Sequence, residues 1–182
     1  PGFAVAQDAV RSLVVLHTND IHDHLRARSG DSGGGLPYVA GYVQDVRADR
    51  EDVVLLDAGD WLEKGELVSV VTQGATTVGA MNQIGYDAVA IGNHDYAYGY
   101  DALLRLQELA EFPTLAANVP PDSPYAGKLP ASHIVERNGV RVGIVGISRN
   151  FTTGVEKGTL DAEATGRYTA SGPEADRFLE HT

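Results

Sequence analysis

Three short apolar, largely β-branched runs constrain this chain most, because each ends in a cluster of polar residues and each is separated from the next by residues at helical spacing. The runs are Ser12 to His17, Asp52 to Asp57 and Asp87 to Ile91. Runs this short and this apolar read as buried strands. Between the first two, Leu36, Val39, Ala40, Val43 and Val46 recur at helical spacing, with Pro37 in the first turn where its missing N–H does no harm. A second helix is expected over Ala75–Ile84, closed by Gly85, and a third over Tyr100–Ala110 carrying Leu103, Leu104, Leu106 and Leu109. Strands alternating with helices predict an α/β layered domain. Further along, Pro113 to Ala117 reads as a short strand. His133–Glu136 and Val140–Ile147 read as two more, joined by the hairpin signal Asn138-Gly139, so a mixed sheet is expected. Arg26 to Gly35 is a glycine-rich loop, and after Ser148 the periodicity fades.

Composition excludes several classes of function. The 182 residues, 43% apolar and 21% charged, are enough to bury a substantial core. With 14 Lys plus Arg against 25 Asp plus Glu, the net charge is −11, a field that repels polyanions and argues against a nucleic acid polymer as partner. A small phosphorylated substrate is still compatible, because bound divalent cations reverse the local sign. The absence of cysteine removes disulfide, zinc-thiolate and thiol-nucleophile chemistry. No apolar run approaches the roughly 18 residues of a membrane span. Residues 1–12 read as a signal-peptide remnant or linker, since Ala4-Val5-Ala6 has the small-x-small pattern of a cleavage site. Residues 13–182 read as one domain.

The chemistry-bearing residues follow the three strands. After the first come His17-Thr18-Asn19-Asp20-Ile21-His22. In an extended segment Asp20 and His22, two apart, point to the same side and make half of a divalent metal site. The alternative is a polar loop in which Asp20 caps a turn. After the second strand come Asp57-Ala58-Gly59-Asp60, where glycine lets the chain turn tightly and Asp60 is placed to bridge two cations; an acidic turn is the plain alternative. After the third come Gly92-Asn93-His94-Asp95, offering a carbonyl oxygen on Asn93 and a proton donor in His94, or simply a solvated loop. Three such clusters at successive strand ends, where open α/β sheets bind ligands, point to metal chemistry.

On these residues the sequence resembles the calcineurin-like metallophosphoesterase superfamily, and within it the 5'-nucleotidase, UDP-sugar hydrolase and 2',3'-cyclic-nucleotide phosphodiesterase branch. The stretch Met81 to Asp87 and the strand Val140 to Ser148 match as well, so the resemblance covers roughly Leu13 to Ser148. It implies an αββα sandwich, of which this chain is expected to be the N-terminal part of the catalytic domain, incomplete at its C-terminal side. It implies two divalent metal ions (Mn, Zn, Mg, Co or Fe), with Asp20 and His22 on the first, Asp60 bridging, and Asn93 on the second. His94 matches the family's catalytic histidine, and Asp57 and Asp95 are expected to orient the ligands from behind. The implied reaction is hydrolysis of small phosphate esters, nucleotides foremost, by a hydroxide activated between two metals. The family also implies a periplasmic, cell-wall or extracellular location.

Some family features have no counterpart here. The branch draws three later histidines from Ser-His-x-Gly-like and Gly-His-x-His motifs, and neither motif occurs. His133 lies in Ala131-Ser132-His133-Ile134 and reads as a strand residue, His181 has no partner pattern, and His24 reads as a loop residue beside the site. The second metal is therefore left with Asp60 and Asn93, and the expectation is a fragment with little hydrolase activity of its own. Relatives often place an aspartate three residues after the catalytic histidine; here that residue is Ala97, and Asp95 is its nearest substitute. Two other readings are a non-catalytic metal- or ligand-binding module descended from the family, and a sulfur-ester hydrolase on the same fold.

Overall fold

The computed structural model describes residues 10–27 and 34–148. The cleavage-like pattern before Val10, part of the glycine-rich loop, His181 and the segment after Ser148 lie outside the described residues. The strands are β1 (Val14–Thr18), β2 (Val53–Asp57), β3 (Ala88–Ala90), β4 (Thr114–Leu115), β5 (Ser132–Arg137) and β6 (Val140–Val145). The helices are α1 (Gly35–Asp49), α2 (Leu67–Thr72), α3 (Ala75–Ile84) and α4 (Tyr100–Leu109).

The first four strands form a parallel sheet in sequential order β1-β2-β3-β4. A parallel pair needs a crossover, and crossovers are right-handed, so strands added in one direction place their helices on one face. That is the arrangement observed: α1 packs on α3, and α3 on α4. Leu55 and Val89 of the sheet meet Leu36 and Val43 of α1, Val78 and Met81 of α3, and Leu103 and Leu106 of α4 in one core. β2, with neighbours on both sides, is buried along most of its length, whereas β1 at the edge alternates between half-buried and exposed. α3 ends as its sequence predicts, with Gly85 in the left-handed region at φ 77°. Arg47 of α1 donates to the freed carbonyls of Ile84 (2.7 Å) and Gly85 (2.8 Å), locking the two helices together.

Two elements differ from expectation. The hairpin does not join the main sheet as a mixed sheet. β5 and β6 pair antiparallel as a separate two-stranded sheet, turning through Asn138 (φ 51°) and Gly139 (φ 68°). It is tied to the parallel sheet at its ends, by Ala117 N–H to the Gly146 carbonyl (2.7 Å) and by Arg137 Nε to the Val53 carbonyl (3.2 Å). The second difference is α2, which sequence periodicity does not show. Its Leu67, Val68, Val70 and Val71 are all exposed, and buried Ser69 instead faces Thr77 of α3, hydroxyl to hydroxyl at 3.3 Å. Among the described residues no helix is long and apolar enough to cross a membrane.

Candidate metal centre

The parallel ladder does not stop where β1 and β2 end. Asp20 N–H reaches the Gly59 carbonyl, His22 N–H the Asp60 carbonyl and Asp23 N–H the Trp61 carbonyl, each at 3.0 Å. The two loops therefore run side by side past the sheet's C-terminal rim. Asp20 (φ 54°) and His22 (φ 47°) lie in the left-handed region, as does Asp60 (φ 60°), so the expectation of an extended Asp-x-His segment is wrong. The curled backbone brings the pair together even so, with His22 Nε2 3.4 Å from Asp20 Oδ1.

Glycines let the next loop come close. A Cβ on Gly59 would sit 2.7 Å from the Gly92 nitrogen, and one on Gly92 would sit 2.1 Å from Asp60 Oδ1. Neither position accepts a side chain without parting the β2 and β3 loops. Asp95, fully buried, stitches the same loops from beneath. Its carboxylate accepts N–H bonds from Gly92 (2.7 Å), Asp60 (3.0 Å) and Leu62 (3.0 Å). Burial pushes its carboxyl well above the usual range against the pull of those bonds. Asp57, also buried, accepts from the Thr18 hydroxyl (2.6 Å) and Gly59 N–H (2.9 Å). Burial pushes it up to about 7, with the Thr18 and Gly59 bonds opposing and the Asp20 and Asp60 charges adding to the rise.

On this frame His22, Asp60 and His94 converge, each offering a ligand atom within 4.8 Å of the others. Asp60 Oδ1 accepts the His94 N–H at 2.8 Å, and the two imidazoles meet edge to face with centroids 4.9 Å apart. His22 Nδ1 lies 3.2 Å from the Leu62 carbonyl. A carbonyl can only accept, so that contact places a proton on Nδ1 and directs Nε2 toward Asp20 and the cluster. With Nδ1 protonated, Nε2 turns its lone pair toward a carboxylate oxygen, an arrangement completed by a proton or a bound cation between them. An imidazole held by a backbone carbonyl through its other nitrogen is the usual support of a metal ligand. Nitrogen and oxygen donors at this spacing fit a divalent ion of the Zn, Mn, Co or Fe kind.

Of the residues singled out in the sequence, His22, Asp60 and His94 come together, with Asp20 attached through His22. Asn93, half-buried, stands between Gly92 and His94 on the third loop. His133 is carried away on β5, opposite Ile144. His94 has two neighbours that sequence reasoning missed. The Glu63 carboxylate meets its Nδ1, and the Lys64 ammonium lies 2.8 Å from its Nε2. Asp95, expected as the substitute partner for His94, is committed to backbone N–H groups instead. The available signal for the missed pair was two opposite charges and a glycine, Glu63-Lys64-Gly65, three residues beyond Asp60.

A family profile described as calcineurin-like phosphoesterase matches residues 13–179. The chain belongs to that family. Its relatives include a snake venom 5'-nucleotidase from Naja atra, 36% identical over 153 residues, which are 77% of this chain and 29% of the relative. The 5'-nucleotidase of Bos taurus is 33% identical over 180 residues, 91% of this chain and 31% of the relative. Among solved structures, a 5'-nucleotidase precursor from Thermus thermophilus superposes with a TM-score of 0.65 at 30% identity, over 75% of this chain and 28% of that one. The chain thus spans 29% to 31% of the length of these two sequence relatives. The parallel sheet with its helices is the family's α/β fold.

Proposed function

We propose that the protein is a metal-dependent hydrolase of phosphate esters with nucleotides as substrates. The observation that carries this reading is the convergence of His22, Asp60 and His94 at the C-terminal rim of the parallel sheet, in a chain whose relatives are 5'-nucleotidases. In this reading Asp20 and His22 would hold one cation, Asn93 would hold a second, and Asp60 would serve both. The second cation, with only Asp60 and Asn93 here, would draw further ligands from outside the described residues. Divalent cations supply Lewis acidity, offsetting charge on phosphoryl oxygens and acidifying water near neutral pH. The protein's own contributions are separate. His94, on the loop beside Asp60, would stabilise the developing charge of a phosphoryl group once Nε2 has taken up a proton. Asp95 and Asp57 hold the loops in register from behind. Asp60 fixes the His94 backbone through the 2.8 Å bond to its N–H, so bridging carboxylate and catalytic ring move together.

A location outside the cytoplasm belongs to the same proposal, supported by one relative from venom and another described as a precursor. The test is phosphate release from AMP after chelation and readdition of Mn²⁺, run on the 182 residues and on the product of the whole reading frame. Activity that returns with metal and falls on the order of 100-fold or more in Asp60→Asn supports the proposal. Turnover indifferent to chelator and to Asp60→Asn would refute it. Metal uptake without turnover in the whole product would favour a binding module instead.

A further inference from the structure

We propose that Glu63 is the positioning residue for His94, setting its ring orientation and its tautomer from the neighbouring loop. The proposal rests on the reading of His94 as the catalytic histidine.

Donor capacity decides the tautomer. The Lys64 ammonium lies 2.8 Å from His94 Nε2, and an ammonium has protons to give and no lone pair to accept. Nε2 must therefore present its lone pair, which leaves the ring proton on Nδ1. That nitrogen meets the Glu63 carboxylate, which can only accept. The two contacts agree on one tautomer, and a carboxylate on Nδ1 is what holds an imidazole with its Nε2 lone pair directed away from that carboxylate, here toward Lys64.

The loop itself is built to hold that carboxylate. Glu63 (φ 70°) and Lys64 (φ 72°) are consecutive non-glycine residues in the left-handed region, a conformation that persists only where the surroundings enforce it. Here buried Asp23 does so. Its Oδ2 accepts the Glu63 N–H at 2.7 Å, and its backbone carbonyl accepts the Glu66 N–H at 3.3 Å. Gly65 presses so close that a Cβ there would lie 2.1 Å from the Asp23 carbonyl oxygen. No carboxylate stands three residues after His94, where Ala97 occurs, and Asp95 is turned beneath the loops.

Two measurements test this. In long-range ¹H–¹⁵N spectra of the metal-free protein, His94 should carry its proton on Nδ1 and keep it there in Lys64→Met, where the Glu63 carboxylate alone holds it; in that background Glu63→Gln should redistribute the proton toward Nε2 while Glu63→Asp largely preserves it. In the Mn²⁺-loaded product of the whole reading frame, Glu63→Gln should lower kcat for AMP on the order of 10- to 100-fold with KM held within about twofold, and Glu63→Asp should recover part of the loss. His94→Ala separates the two readings. If it leaves turnover intact, the catalytic role of His94 fails. If it abolishes turnover while Glu63→Gln changes neither kcat nor the tautomer, the assignment of Glu63 is overturned.

Discussion

Asp95 and Asp23 are both shut away from solvent beneath the rim, yet Asp95 takes its three hydrogen bonds from backbone N–H groups, whereas Asp23 takes two of its three from side-chain hydroxyls. The first arrangement needs little from the rest of the chain. Once the β2 and β3 loops are laid side by side by their glycines, the N–H groups of Asp60, Leu62 and Gly92 are present whatever side chains those residues carry. The second depends on Thr77 from α3 and Tyr98 from the turn before α4, each delivered by tertiary packing. Asp95 joins the strands that carry the metal candidates; Asp23 fastens the loop that carries Glu63 and Lys64. One is a constraint of motif and the other a constraint of fold.

The largest effect should come from breaking the first. Asp95→Ala orphans three N–H groups, all in buried or half-buried loops, and at about 1–3 kcal/mol each the loss is on the order of 3–9 kcal/mol. That is a large share of the roughly 5–15 kcal/mol that holds a domain together. Urea unfolding measures it. A cost smaller than that of the equivalent Asp23 substitution would reverse the comparison.

Next in size is a pH dependence. Asp57 is raised to about 7 by burial, while in the unfolded chain an aspartate titrates near its ordinary value of 3.8. Between those values the folded protein holds a proton that the unfolded chain has released, so stability falls as pH rises. The contribution is complete below about pH 4 and is lost by about pH 7, roughly 4 kcal/mol for this group. Buried Asp95, shifted in the same direction, adds to the decline. Asp57→Asn should flatten the slope between about pH 4 and 7. Added Mn²⁺ should flatten it as well if cations bind at the rim, since positive charge favours the ionised carboxylate. A slope unaltered in Asp57→Asn would show that the burial of Asp57 does not set its proton affinity.

Much of this was legible in the sequence, for a physical reason. β1, β2 and β3 lie against one layer of helices, so their apolar runs announce them, and α1, α3 and α4 each turn one apolar stripe to the same core. α2 was not legible because its valines point outward and its one buried residue is a serine, so side-chain pattern carries no helical signal there. The convergence of three candidate residues, His22, Asp60 and His94, was legible because metal-type side chains close successive strands. The backbone that brings them together was not: Asp20, His22 and Asp60 adopt left-handed conformations, which Asp and His tolerate but which residue type alone does not locate. Glu63 stayed hidden for a related reason, as its partner is 31 residues away and reaches it only through loops fastened by Asp23.

The smallest effects divide Asp23 itself. Oδ1 takes its bond from Thr77 Oγ1, whereas Oδ2 is shared by the Tyr98 hydroxyl (2.9 Å) and the Glu63 N–H (2.7 Å). Burial first, and then the Asp23 carboxylate, push the Tyr98 phenol well up, so it stays a donor throughout the working range. Thr77→Val strips one oxygen of its donor in a fully buried place and should cost about 2 kcal/mol, within the range for a bond to a charged group. Tyr98→Phe leaves Oδ2 with the Glu63 N–H and should cost about 1 kcal/mol or less. The double variant should lose more than the two single losses added, because the second removal leaves a buried carboxylate with one donor. Strict additivity in chemical denaturation would mean that the two oxygens act independently, and that the hydroxyls support packing of α3 and α4 rather than the loop that presents Glu63 to His94.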